Sequence, residues 1–243
     1  MKKLGSVGSL AIALAMLCGG TRSSAQQSPC PDVLNDTFGS ASGAGPHVEI
    51  RILFDSTSAR HLPTFAVWAH AAGTDSVQTI YVTCKGAYDR WGRAVSRPSA
   101  LPVWSGVRRD EGLATSGDEI DALTTATPRG RDFTIRWAVP PEFRGKQVDL
   151  YVEVNVSFDY NEHYTQDEAP NGQPSLVWRA SFHAGDQPAA NPIALLIGHG
   201  EVRGANATID PDLSGITTAR DLFRSVQVSY RPAGTAPPPR PPR

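Results

Sequence analysis

A stretch of strictly alternating polarity, residues 147–158, constrains the fold of this 243-residue chain more than any other feature. Its apolar members are Val148, Leu150, Val152, Val154, Val156 and Phe158. A period of two places these side chains on one face of a strand and the intervening polar side chains on the other. The stretch therefore predicts an antiparallel strand with one buried face and one wetter face.

Shorter stretches of the same kind occur along much of the chain. They cover residues 47–54, 64–70, 77–85, 132–139 and 175–183. Gly, Pro, Asn and Asp residues separate them, and short strands between such turns are typical of two packed sheets. The sequence therefore predicts a mostly β fold over residues 47–185, an antiparallel β-sandwich that is immunoglobulin-like in broad architecture.

Two segments follow the predicted sandwich. Residues 186–231 are expected to form a short C-terminal extension, in which residues 217–226 fit either a helix or a strand that continues through Tyr230. Residues 232–243 contain Pro-Pro-Pro-Arg-Pro-Pro-Arg, and sequence of this composition predicts a disordered tail.

The N-terminus has the layout of a secretory signal peptide. Lys2 and Lys3 precede the apolar residues 10–17, and small residues follow up to Ala25. The apolar run is too short to span a membrane. We predict that residues 1–25 are a signal peptide cleaved after Ala25, that residues 26–46 are a flexible leader, and that the protein is periplasmic or secreted. No later stretch is apolar for long enough to predict a membrane span.

Charge and cysteine content agree with an exported protein. Removal of Lys2, Lys3 and Arg22 with the signal moves the formal charge from −1 to −4. A mildly acidic chain without a basic run gives no electrostatic basis for binding nucleic acid. Cys30 and Cys84 are the cysteines that the mature chain keeps, and in an oxidising compartment such a pair predicts a disulfide.

Several short motifs occur together in one order along the chain. They are residues 65–68 (FAVW), 79–82 (TIYV), 101–104 (LPVW), 121–128 (DALTTATP) and 153–155 (EVN). In order and approximate spacing this set resembles the predicted periplasmic proteins grouped as domain of unknown function 2271, over roughly residues 47–185. The resemblance implies a β-rich periplasmic module linked with envelope redox and flavin-transfer systems, and therefore an envelope protein as its partner. It implies no enzymatic activity.

Residues 121–128 also resemble the attachment motif of covalently flavinylated proteins. By this resemblance Thr127 is the acceptor that a flavin transferase would join to FMN through a phosphodiester, and Asp121, six positions earlier, is the recognition residue. Thr125 stands where that motif has Gly, which stiffens the segment. The alternative is a plain turn between strands, in which Asp and Thr side chains bond nearby backbone and Pro128 closes the loop.

Oxygen-bearing side chains gather at and after the end of the long alternating strand. Glu153, Asp159, Asn161 and Asp167 are candidate ligands for a hard cation such as Ca²⁺, which binds clustered carboxylate and carbonyl oxygens. The alternative is a solvated strand face followed by an ordinary polar loop. If another layer covers the face, these groups must instead be hydrogen-bonded, in a structural network or a ligand site.

The remaining motifs do not define a reaction. HExxH, GxSxG and CxxC are absent, so no catalytic residue is assigned. Residues 198–201 (GHGE) predict a tight turn. Trp137 and Trp178 are expected in the core and Trp91 and Trp104 at the surface, where aromatic rings favour glycans.

We therefore expect an exported β-sandwich module without a catalytic site, an accessory of an envelope redox system. The alternatives are an electron carrier with FMN at Thr127 and a cation- or glycan-binding domain.

Overall fold

The computed structural model describes residues 37–39, 45–55, 61–88, 97–113, 122–125, 132–189 and 192–235. The predicted signal peptide and its cleavage site lie outside these ranges, as do Cys30, Trp91, Asp121, Thr127 and most of the proline-rich tail. Expectations about them stay predictions, and this includes the disulfide, for which the structure describes only the buried Cys84.

The described chain consists mainly of strands, with a few short helices. The strands are β1 (Thr37–Gly39), β2 (His47–Phe54), β3 (Thr64–Ala71), β4 (Val77–Thr83), β5 (Leu123–Thr125), β6 (Asp132–Ala138), β7 (Gln147–Asn155), β8 (Leu176–His183), β9 (Leu195–His199) and β10 (Phe223–Arg231). The α-helices are α1 (Cys84–Ala87) and α2 (Pro102–Asp110), and single 3-10 turns lie at Pro98–Ala100, Pro141–Phe143 and Thr218–Asp221. None of the described helices is long and apolar enough to cross a membrane.

The strands form two sheets. The smaller has the order β1-β6-β2-β10 and the larger the order β5-β4-β3-β7-β8-β9. All neighbours pair antiparallel except β1 with β6 and β5 with β4, where a three-residue edge strand runs parallel to its partner. The prediction of a mostly β, antiparallel sandwich is confirmed.

The core lies between the two sheets and follows the alternation in the sequence. Val148, Leu150, Val152 and Val154 of β7 are buried against a matching apolar face that includes Ile50 of β2. Burial of one such side chain stabilises a fold by about 1.5–3 kcal/mol. The long alternating strand therefore supplies the centre of the larger sheet's inner face.

β7 ends earlier than the alternation predicts. The strand stops at Asn155, and Phe158, expected on the buried face, is 45 % exposed with φ +68°. The reason is that the chain turns into a loop here, in which Asp159 pairs with Gly172 and the Phe158 N–H donates to the Asn171 carbonyl oxygen at 2.8 Å.

The segment expected as a C-terminal extension belongs to the sandwich. Within residues 186–231, β9 joins the larger sheet beside β8 and β10 joins the smaller sheet beside β2. Of the two alternatives for residues 217–226, the strand is the one formed, after a single 3-10 turn.

A third layer covers the outer face of the larger sheet. Helix α2 packs there, and its Trp104 lies among Trp68, Val82 and Val177. Trp104 is only 1 % exposed, so the expectation of a surface tryptophan was wrong at this position. Trp137 and Trp178 are in the core, as predicted.

Candidate functional site

Glu153 sits on the outer face of β7, directly under the N-terminus of α2. Its Oε1 accepts hydrogen bonds from the Val103 N–H at 3.1 Å and the Ser175 hydroxyl at 2.6 Å. Its Oε2 accepts the Trp104 N–H at 2.8 Å. The first N–H groups of a helix have no partner within the helix, so Glu153 caps α2 from a neighbouring strand.

The surroundings of Glu153 change its ionisation. Burial raises the pKa of Glu153 to about 7, and the hydrogen bonds from Ser175, Trp104 and Val103 act in the opposite direction. A carboxyl with a pKa near neutrality suits acid–base catalysis. Here, however, both oxygens are already bound and the residue is 0 % exposed, so the carboxyl does not face a site that a substrate can enter.

Close backbone packing explains the glycines of residues 198–201. A Cβ added to Gly200 would lie 2.5 Å from Pro102 Cγ and 2.6 Å from Ser175 Oγ. Gly198 has φ +154°, and a Cβ there would overlap the backbone of Asp210. β9 therefore needs glycine where it passes the α2 N-terminus, which is a structural reason for the motif.

A second polar network holds the β7–β8 loop, residues 156–175. Gln173 is its centre, with Nε2 donating to Asp159 Oδ2 at 2.8 Å and to Thr218 Oγ1 at 2.7 Å. Its Oε1 accepts the Thr217 N–H at 2.7 Å. Burial raises the pKa of Asp159, and the hydrogen bond from Thr218 lowers it. The loop is thus tied to the chain segment that leads into β10.

Asn155 extends this network to the end of β7. Its Nδ2 donates to the Gln173 carbonyl oxygen at 2.9 Å, and its Oδ1 accepts from Asn171 Nδ2 at 2.7 Å. All three residues are buried. Because buried amides are costly unless they are hydrogen-bonded, these contacts explain why polar residues persist at the end of an otherwise apolar strand.

The remaining two candidate ligands, Asn161 and Asp167, also form hydrogen bonds within the protein. Asn161 Oδ1 accepts the N–H groups of His163 and Tyr164 at 2.9 and 2.8 Å, and its Nδ2 donates to the Gly215 carbonyl oxygen at 2.8 Å. The backbone carbonyl of Asp167 accepts a hydrogen bond from Arg203.

The structure thus gives the four predicted metal ligands different partners. Glu153 binds α2, Asp159 binds Gln173 and Thr218, and Asn161 caps its own turn. Within the described ranges, no group of three or more His, Cys, Asp or Glu side chains is placed to hold a metal ion.

The structure describes only the middle of residues 121–128. Leu123–Thr125 forms β5, the outermost strand of the larger sheet. Thr124 Oγ1 donates to the Ala122 carbonyl oxygen at 3.2 Å. The candidate acceptor Thr127 therefore follows an edge strand by two residues.

A cleft of about 900 Å³ lies at the other end of the sandwich. Its walls come from the turn before β7, the chain after β8 and the chain after β10, and include Arg144, His183, Asp186 and Tyr230. Sequence reasoning missed these residues. They are spread over 87 positions and share no periodicity, and the register that places Gln147 opposite His183 is known only from the structure.

Comparison with known proteins leaves the fold and the geometry as the evidence on function. The chain matches no protein-family model, no curated protein and no solved structure. The resemblance to domain of unknown function 2271 is therefore still a prediction.

Proposed function

We propose that this protein is an exported β-sandwich module that binds a partner rather than catalysing a reaction, and that it serves as an accessory of an envelope redox system. The observation that carries the non-catalytic part is the state of Glu153. Burial raises the pKa of this carboxyl to about 7, and it is fully buried with both oxygens bound to α2 and Ser175.

The polar residues of the β7–β8 loop support the same conclusion. Asn155 donates a hydrogen bond to the backbone of Gln173, and the Gln173 side chain donates to the side chains of Asp159 and Thr218. A general acid, base or nucleophile must reach a substrate. Residues engaged in this way stabilise the fold instead. Export and the redox partner rest on the N-terminal sequence and on the family resemblance.

The first experiment is the intact mass of the full chain after expression with its own N-terminus. The proposal expects a chain that begins at Gln26, recovered outside the cytoplasm. Leu14→Arg, which interrupts the apolar residues 10–17, is the matched control and should leave the chain uncleaved. A wild-type chain that keeps Met1 and stays in the cytoplasm would contradict the proposal. Adding reductant to the same sample tests the Cys30–Cys84 disulfide.

A second candidate function is an electron carrier with FMN on Thr127. The observation that favours it is the position of Leu123–Thr125 at the edge of the larger sheet, since a transferase needs a segment that it can reach. Condensation of the threonine hydroxyl with the FMN phosphate releases water. Coexpression with a flavin transferase should therefore add the mass of FMN less one water. The increase should vanish in Thr127→Ala and persist in Thr124→Ala.

A further inference from the structure

The cleft at the β7 N-terminal end brings charged side chains of both signs, Arg144 and Asp186, into one concave site. The side chains of Asp186 and His183 form no hydrogen bond or ion pair with another described residue. Among the described residues, the Arg144 side chain bonds through its Nε, which donates to the Val139 carbonyl oxygen at 3.2 Å. The two terminal nitrogens of its guanidinium are the groups left for a ligand.

Hydrogen bonds to backbone keep the walls of the cleft in place. The Gly145 N–H donates to the Ala184 carbonyl oxygen at 2.8 Å, and the Tyr230 hydroxyl donates to the Gly185 carbonyl oxygen at 2.7 Å. The Tyr230 ring stacks on Phe182 with centroids 5.6 Å apart. A site that is already ordered loses less entropy when a ligand binds, so this cleft is suited to recognition.

The ring of His183 lies close to the backbone of Gly185. A Cβ added to Gly185 would lie 2.8 Å from His183 Cδ2 and 2.9 Å from its Nε2. The exposed imidazole therefore lies against the backbone of residue 185. The ring adds a hydrogen-bonding group to the cleft without a partner of its own in the described chain.

Opposite charges lie on separate loops of the cleft. Arg144 belongs to the turn before β7, and Asp186 to the chain after β8. Both act on the Tyr230 hydroxyl: burial and then the charge of Asp186 raise the pKa of Tyr230, and the charge of Arg144 lowers it. One cation and one anion in a single cleft complement a ligand that carries one charge of each sign.

We propose that this cleft binds a short peptide as a zwitterion, with the terminal carboxylate on the Arg144 guanidinium and the terminal ammonium towards Asp186. This inference rests on the proposed binding function. Arginine holds carboxylates through paired, charge-assisted hydrogen bonds. Pro46, Pro188 and Pro232 give the walls rigid apolar surfaces for the side chains of the peptide.

A short peptide fits the size and charge of the cleft better than a single amino acid, a neutral glycan or a nucleotide does. About 900 Å³ lies near the upper end of the roughly 300–1,000 Å³ range of small-ligand sites, more than a single amino acid fills. A neutral glycan offers no charged group to pair with either Arg144 or Asp186. A nucleotide brings several negative charges to a cleft that holds one guanidinium and one carboxylate.

The test is an NMR titration of the isotope-labelled, exported chain with trialanine. Saturable shifts of the backbone amides of residues 185–187 are expected. Arg144→Gln should weaken the affinity for trialanine at least about tenfold, as loss of a charge-assisted pair does. Lys85→Gln is the matched control, because Lys85 is an exposed cation on α1 at the opposite end of the sandwich, and it should leave the affinity unchanged.

Two chemical variants of the probe separate the charges. Trialanine amide, which lacks the carboxylate, should bind wild type about as weakly as trialanine binds Arg144→Gln. N-acetyl-trialanine, which lacks the ammonium, should bind wild type and Asp186→Asn equally, whereas trialanine should prefer wild type. Unchanged affinity in Arg144→Gln, shifts confined to another surface, or no saturable shift up to about 10 mM peptide would each overturn the inference.

The outcome for the cleft is distinguishable from the outcome for the proposed function. A mature chain that begins at Gln26 but gives no saturable shift with trialanine removes only the peptide assignment. A chain that is not exported removes the proposed function, whatever the peptide does.

Discussion

The two ends of the sandwich use polar residues in opposite ways. At the end where β7 finishes, Glu153, Asn155 and Gln173 are buried. Glu153 accepts a hydrogen bond from Ser175, and Asn155 donates one to the Gln173 carbonyl oxygen. At the end where β7 begins, Arg144 and Asp186 line an open cleft with few or no partners in the described chain. The difference teaches that conspicuous polar residues in a strand can serve stability, while the groups that we propose for binding lie on connections that no sequence pattern marks.

Of the substitutions that test this difference between the two ends, Glu153→Ala is expected to lower the stability most. The substitution leaves the N–H groups of Val103 and Trp104 and the Ser175 hydroxyl without their buried acceptor. Unpaired buried donors cost about 1–3 kcal/mol each, and we expect the free energy of unfolding to fall by roughly 3 kcal/mol. Urea denaturation measures it. Stability within about 0.5 kcal/mol of wild type would mean that Glu153 is not a structural cap.

The next largest expected effect is a pH dependence of the stability that comes from the ionisation of Glu153. Because burial raises its pKa in the folded protein from 4.5 to about 7, the folded state holds this proton more tightly than the unfolded state. The resulting stability is fully present below about pH 4.5 and is lost as the pH rises through 7, a total of roughly 3 kcal/mol. Denaturation of wild type and Glu153→Gln from pH 4 to 8 measures the difference, since glutamine does not titrate.

In that comparison, wild type should lose stability relative to Glu153→Gln as the pH rises. Parallel pH profiles for the two proteins would show that the carboxyl stays ionised in the folded state. Ser175→Ala checks this interpretation, because it removes a hydrogen bond that lowers the pKa of Glu153. This variant should steepen the loss of stability with pH.

Asp159→Ala tests the loop network and the metal hypothesis together. The variant loses hydrogen bonds to Gln173 and Thr218, and we expect a loss of about 1–2 kcal/mol. If the role of Asp159 is structural, thermal unfolding shows the same loss with calcium and with chelator. A calcium-dependent rise in the melting temperature of wild type that Asp159→Ala abolishes would restore the predicted cation site.

The smallest effect on stability is expected in the cleft. Asp186 has no hydrogen bond or ion pair with another described residue, so Asp186→Asn should change the free energy of unfolding by no more than about 0.5 kcal/mol. Chemical denaturation beside wild type measures this. A loss as large as that of Asp159→Ala would mean that the cleft end is also a structural network, and the contrast between the two ends would disappear.

The sequence predicts the inner faces of the sheets better than their surroundings. A buried strand is predicted from the alternation of Val148, Leu150, Val152 and Val154 with polar residues, because this pattern depends only on the local sequence. What covers the outer face depends on residues far away. The segment beginning at Pro102 carries no alternation, and its packing over Glu153 joins positions 50 apart.

The same limit applies to the candidate site. Pairing Glu153 with hydrogen-bond donors was foreseeable only on condition that a further layer covers the strand. The placement of Arg144 and Asp186 in one cleft depends on how three connections meet at one end of the sandwich. Loops of this kind are positioned by the sheets and not by their own composition.

The short edge strands have a consequence for self-association. β1 and β5 are three residues long, and on the other side the Ala194 N–H bonds the Val226 carbonyl oxygen and links the chain before β9 to β10. A long, flat strand at a sheet edge is a template for recruiting another chain into a fibril. The described edges are brief or bridged at one place, so this part of the chain offers few long open edges for such polymerisation.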